Sequence, residues 1–128
     1  MLDDTARAFL DAPNFAAVTT MLPSGQPMTQ IMWVDHDGDH VLVNTEVGRQ
    51  KFANVQHDPR VTLAVWDASN PHRYTEIRGR VVSTITGSEA REHIDRLSFK
   101  YNGAPYANPI VTERVILEIE PTRVRSQT

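Results

Sequence analysis

Nine consecutive residues, Val43-Asn44-Thr45-Glu46-Val47-Gly48-Arg49-Gln50-Lys51, place a hydroxyl, a glycine turn and two cations where a strand pattern gives way to a helical one. A helix start leaves backbone N–H groups without intrahelical acceptors and carries the positive end of the helix dipole. With Arg49 and Lys51 beside it, the segment can cradle a phosphate. The competing reading is a solvated first turn. Two cations there work slightly against the dipole, and an anion between them would remove that cost.

Gln30 stands as a polar group in the apolar run Met28-Thr29-Gln30-Ile31-Met32-Trp33, either hydrogen-bonding the edge of a heterocycle or simply facing outward. His36 and His40 lie among Asp35, Asp37 and Asp39, but hairpin-turn chemistry accounts for those aspartates and the spacing matches no metal scheme, so no metal is expected. His57, His72 and His93 are isolated, with His93 expected beside the solvent face of its helix. None has a Ser or Cys partner at a recognisable spacing, which leaves nucleophilic catalysis unsupported and the catalytic residues unassigned. Tyr74, Glu76, Arg78 and Arg80 alternate on one strand face, as a row facing solvent or a second chain would.

The chain that must position these residues has 128 of them, with thirteen Lys+Arg against sixteen Asp+Glu and a formal charge of −3. That length is expected to form one domain, residues 1–128, large enough for an unstapled core. Without cysteine there is no disulfide and no thiolate metal site. A pI near 5.9 and the lack of a Lys/Arg-rich block argue against nucleic acid as a partner. The longest apolar run falls far short of the ~20 residues of a membrane span. The opening MLDDTARAFL is acidic where a secretory signal would be basic, so a cytoplasmic protein is expected.

Leu2, Ala6, Phe9 and Leu10 share a helical face, and Pro13 ends that helix. Strand patterns then cover Phe15 to Met21, Met28 to Val34 and His40 to Thr45, with turns at Pro23-Ser24-Gly25-Gln26 and Asp37-Gly38; they read as a three-stranded antiparallel meander. Gly48 to His57 is helical, closed by Asp58-Pro59. Strands are expected at Val61 to Trp66 and Tyr74 to Ile85, the latter bent at Gly79, with Asp67 to His72 as the loop between them. Thr86-Gly87-Ser88-Glu89 has capping-box spacing before a helix whose buried face is Ala90, Ile94, Leu97 and Tyr101, and whose end is Asn102-Gly103. Val111, Val115, Leu117 and Ile119 mark a last strand. About six antiparallel strands with short helices, joined early on by tight turns, fit a small barrel and not a doubly wound parallel sheet.

The N-terminal helix, Phe15 to Thr20, the turn Leu22-Pro23-Ser24-Gly25-Gln26-Pro27, the strand Gln30-Ile31-Met32-Trp33 and Arg49-Gln50-Lys51-Phe52-Ala53-Asn54-Val55 before Asp58-Pro59-Arg60-Val61 together resemble a known family. It is that of the pyridoxamine 5′-phosphate oxidase-like split β-barrel proteins, and within it the actinobacterial branch that uses the deazaflavin coenzyme F420. The resemblance runs from Leu2 to about Arg123 and is most specific from Thr45 to Arg60. It implies a mainly β split barrel, and a homodimer with the cofactor in a groove between subunits.

The same resemblance implies that Arg49 and Lys51 hold the cofactor phosphate, beside Thr45, the turn residues Asn44 and Gln50, and Asn54. Gln30, Ile31, Met32 and Trp33 would line the deazaflavin. FMN is the alternative cofactor, since relatives of the same fold bind it. The implied activity is hydride transfer from reduced F420 to an unsaturated small molecule such as an enone, quinone or tetrapyrrole, with a non-catalytic F420 carrier or an FMN-dependent oxidase as the other readings. Such a transfer needs no protein acid or base in the hydride step itself; a following protonation would fall to solvent, Tyr74 or Tyr106. The charged tail of F420 would also need a cationic exit, for which Arg60, Arg73, Arg78 and Arg80 are available.

Overall fold

The computed structural model describes all 128 residues. Its elements in chain order are α1 (Asp4–Asp11), β1 (Ala16–Met21), β2 (Pro27–Met32), β3 (Asp35–Asp37), β4 (His40–Glu46), α2 (Gln50–His57), β5 (Arg60–Asp67), β6 (Asn70–Ile85), α3 (Gly87–Asn102) and β7 (Arg114–Gln127). The strands form one antiparallel sheet in the order β2-β1-β5-β6-β7-β4-β3. Its two edge strands, β2 and β3, are joined by only Trp33 and Val34. A linker of two residues spans at most about 10 Å, so the sheet curls until its edges nearly meet. This is the expected split barrel.

Seven strands replace the expected six, because the chain kinks at Trp33-Val34 and the three residues of β3 take a new partner, β4. The kink also overturns the three-stranded meander: β2 pairs with β1 alone, while β4 pairs with β7 and β3. Local turn chemistry could not reveal that switch of sheet edge. β6 begins at Asn70, so the expected six-residue loop shrinks to a tight turn in which Asp67 accepts hydrogen bonds from Ser69 N and Oγ at 2.8 and 2.7 Å. The last strand starts at Arg114; Val111 is 84% exposed in the preceding loop and does not belong to its apolar row.

Period-two burial sorts β4 and β7 into two faces. Val41, Val43, Val115, Leu117 and Ile119 join α1's Ala6, Phe9 and Leu10 in the barrel core, while Leu42 and Ile116 face outward and pack with Ala90 of α3. Asn44, Glu46 and Arg114 follow on that outer face. Asp3 caps α1 by accepting from Ala6 N at 2.8 Å. The capping box expected at α3 is not formed: the Thr86 side chain makes no cap bond, and Gly87 N donates instead to Glu113 at 3.2 Å. The bend at Gly79 is present as a register shift between Arg78 and Gly79. A Cβ there would lie 2.4 Å from the carbonyl oxygen of Glu120, so no other residue fits without moving backbone.

Candidate functional site

The seam of the barrel opens into a groove of about 290 Å³. It is lined on one side by the β2 end, Ile31, Met32 and Trp33, with Phe15, and on the other by Asn44 and Thr45 of β4, Arg49 and Lys51 at α2 and Arg114 of β7; Ile94 and Leu97 of α3 and the loop residues Tyr106 and Asn108 complete the lining. The apolar wall is tied together by its rings. Trp33 stacks on Tyr101 at 5.2 Å between centroids and meets Tyr106 edge-on at 6.3 Å, and Phe15 lies 5.7 Å from Tyr101. Offset and edge-to-face contacts of this kind hold rings in place beyond simple area burial.

The polar wall carries an excess of positive charge. Against its three cations, Arg49, Lys51 and Arg114, stands one carboxylate, Glu46, which lies 4.0 Å from Arg49 and 3.5 Å from Arg114. Glu46 is 2% exposed and already accepts from Thr112 N at 2.7 Å, Thr112 Oγ1 at 2.9 Å and Val111 N at 3.1 Å. The Thr112 amide, more than any charge, holds its carboxyl below the usual range in spite of burial. Lys51 is 8% exposed and pairs with no carboxylate. Burial first, and Arg49 and Arg114 next, push its ammonium below the ordinary lysine value. An ammonium with no carboxylate partner at the start of an uncapped helix is electrostatically complementary to an anion.

Of the residues singled out in the sequence, Ile31, Met32, Trp33, Asn44, Thr45, Arg49 and Lys51 line this groove together. Three do not. Gln30 is exposed on β2, one residue before the wall begins. Gln50 donates to Asn54 Oδ1 at 2.8 Å, and Asn54, fully buried, donates to Thr20 Oγ1 at 3.0 Å, so this pair braces α2 against β1. Phe15, Ile94, Leu97, Asn108 and Arg114 complete the groove without having been marked, together with Tyr106, which the sequence offered only as a candidate proton donor. Only Arg114, a cation opening an apolar strand, carried a signal that could have been read.

Of the two tyrosines considered as proton donors, Tyr106 is at the groove, while Tyr74 lies in a separate surface depression with Glu76, Arg78 and Arg125. The expected exit for a charged tail is largely neutralised: Arg60 pairs with Asp58 at 2.6 Å, Arg73 with Asp67 at 2.7 Å and Arg78 with Glu76 at 3.2 Å. His93 is not at the solvent face of α3. It is fully buried between Asn44 and Asp35, because the sheet surface under α3 offers it polar partners on both sides.

The profile of the family described as pyridoxamine 5′-phosphate oxidase matches residues 2–128. A solved structure named F420 reductase is 28% identical, with a TM-score of 0.84 over 97% of this chain and 98% of that one. A conserved hypothetical protein from Mycobacterium tuberculosis is 23% identical, with a TM-score of 0.79 over 99% of this chain and 84% of its own. General stress protein 26 from Bacillus anthracis is 16% identical, with a TM-score of 0.75 over 97% and 92%. The last two share the fold. No curated protein matches the chain by sequence, and no helix is long and apolar enough to cross a membrane.

Proposed function

The chain belongs to the pyridoxamine 5′-phosphate oxidase family, and on that premise we propose that it is a homodimeric reductase that uses reduced coenzyme F420 to reduce an unsaturated small molecule such as an enone, a quinone or a tetrapyrrole. The observation that carries the reading is the groove's division into an aromatic wall and a wall with surplus cations. A planar heterocycle bearing a phosphate complements both halves. The similarity to the structure named F420 reductase favours the deazaflavin over FMN.

When bound, the reduced deazaflavin supplies a hydride from its own ring carbon. Lys51 and Arg49, with the free N–H groups at the start of α2, hold the phosphate. Thr45 and Asn44 border it. Ile31, Met32 and Trp33 would hold the ring and exclude water beside it, and Gln30, exposed one residue before that wall, would offer its amide from outside the groove. Gln50 and Asn54 act from behind by fixing the first turn of α2. Of the two tyrosines considered beside solvent as proton source, Tyr106 is the one that lines the groove. Phe15 and Ile31, 43% and 60% exposed at its open side, are residues that a second copy would cover.

Titration of the protein with F420 and with FMN, followed by oxidation of reduced F420 in the presence of an acceptor panel, tests the reading. F420 is expected to bind more tightly and at least one acceptor to turn over. Tight binding without turnover on any acceptor would make the protein a carrier, and tighter binding of FMN would replace the cofactor. A monomeric mass in light scattering with cofactor present would remove the dimer.

A further inference from the structure

Arg114 is held by a buried chain of hydrogen bonds that leads away from the groove between the outer face of the sheet and α3. Its Nε donates to Asn44 Oδ1 at 2.8 Å; Asn44 Nδ2 lies 3.0 Å from both Ala90 O and His93 Nδ1; His93 Nε2 lies 3.1 Å from Asp35 Oδ2. The donors and acceptors in this chain have one consistent assignment. A guanidinium only donates, so the Asn44 carbonyl must face Arg114 and its NH2 must face His93. His93 Nδ1 is then an acceptor, which puts the imidazole proton on Nε2, where the Asp35 carboxylate receives it. Starting from the opposite end gives the same answer, since an ionised carboxylate only accepts.

The middle of the chain is shut off from solvent. His93 is 0% exposed and Asn44 5%. Asp35 is further fixed by the amide of His36 at 2.9 Å, and these bonds together with the nearby Lys100 outweigh burial and keep its carboxyl below the usual range. Arg114 uses Nε on Asn44 and Nη1 on Glu46 and lays its guanidinium 5.2 Å from the Tyr106 ring centre. No protein acceptor takes its remaining N–H groups, and it lines the groove.

We propose that Arg114 is a ligand-anchoring residue of the groove and that His93 is its positioning residue, acting through Asn44 as a neutral imidazole held in one tautomer by Asp35. The ligand in question is the phosphate-bearing heterocycle, so this step rests on the functional reading above. The relay itself does not. Removing His93 leaves the Asn44 NH2 with Ala90 O as its one acceptor and lowers the cost of rotating the amide. A rotated amide sets its NH2 against Arg114 Nε, donor against donor, and displaces the guanidinium from its bound orientation.

Two measurements on the ligand-free protein read the relay directly. ¹⁵N spectra of the imidazole should show the Nε2–H tautomer at His93, and the Arg114 Nε–H resonance should be downfield and protected from exchange, losing both properties in His93→Ala and Asn44→Leu. Titrations with F420 and FMN should then show affinity for the bound ligand falling on the order of 10-fold in His93→Ala. His93→Gln, whose amide again offers one acceptor and one donor, should restore most of it. An Nδ1–H tautomer in the wild type, or an Arg114 Nε–H signal and a ligand affinity that are unchanged in His93→Ala, would overturn the proposal. If the wild type binds neither F420 nor FMN, the functional reading and the anchoring role both fail, while the spectra still decide whether the relay exists.

Discussion

Trp33 and Tyr101 stack with their planes 9° apart, which makes the aromatic wall of the groove continuous with the seam of the barrel. The Tyr101 hydroxyl accepts from Val34 N at 3.1 Å and donates to Asn14 O at 2.5 Å, closing the gap beside the two residues that join the sheet edges. Lys100 reinforces the same point by donating to Leu10 O and to Val34 O at 2.8 Å. Tyr101→Phe keeps the ring and deletes the hydroxyl, leaving a part-buried N–H and C=O without partners. It should lower stability by about 1–3 kcal/mol in urea unfolding. An unchanged midpoint would show that water replaces the hydroxyl and that the seam does not depend on it.

The same residue gives a pH signature. Burial pushes the Tyr101 phenol up to about 12, with Asp35 adding to the rise and the Val34 amide opposing it. An unfolded tyrosine titrates near 10. The folded-state value is raised, so the stability linked to this group is fully present below about pH 10 and is lost as pH rises from there through about 12. Absorbance titration of tyrosinate should therefore show one of the three tyrosines lagging the others, and Tyr101→Phe should remove the late step. A single transition near 10 for all three would contradict the burial.

The sequence made some of this legible and hid the rest for identifiable reasons. Apolar spacing located β1, β5, β6, α1 and α3, since burial on one face leaves a periodic trace. It could not show that Trp33-Val34 carries the chain from one sheet edge to the other, because pairing partners are set by non-local register. The cradle of Thr45, Arg49 and Lys51 was visible as cations at a strand-to-helix turn. Tyr106 was visible only as one of two candidate proton donors and Asn108 not at all, since a Pro-containing loop has no period and its residues reach the groove only through the fold. His93 was misplaced because helical spacing alone treats a polar residue as outward-facing, whereas here the outer surface of β4 supplies Asn44 as its partner.

Gly79 sits where β6 bends across β7. A methyl group there would meet the Glu120 carbonyl oxygen at 2.4 Å and Ile119 Cγ2 at 2.9 Å. Gly48 is a useful comparison, because its Cβ would meet only the side chain of Thr112, at 2.8 Å, and displacing it disturbs the hydroxyl's bonds to Gly48 N and Glu46 but moves no backbone. Gly79→Ala should destabilise the protein by about 1–3 kcal/mol or more, and Gly48→Ala by distinctly less. Equal thermal midpoints for the two variants would mean that the β6 bend relaxes freely.

Lys51 separates stability from binding. Its side chain is largely buried, and its ammonium is partly desolvated, near Arg49 and Arg114, and without a paired carboxylate, so the charge opposes folding there. Lys51→Met keeps most of the apolar stem and removes the charge. It should leave the thermal midpoint of the free protein equal or higher. Binding of the phosphate-bearing cofactor should weaken by about 1.5–3 kcal/mol, the range of a charge-assisted hydrogen bond. Because burial lowers the ammonium's pKa, the wild type should begin to lose cofactor affinity with rising pH before the ordinary lysine range near 10 is reached, while Lys51→Met shows no such loss. Dissociation constants measured across pH 7 to 10 for both proteins check this. A Lys51→Met variant that is less stable but binds as tightly would place Lys51 in the scaffold and remove it from the phosphate site.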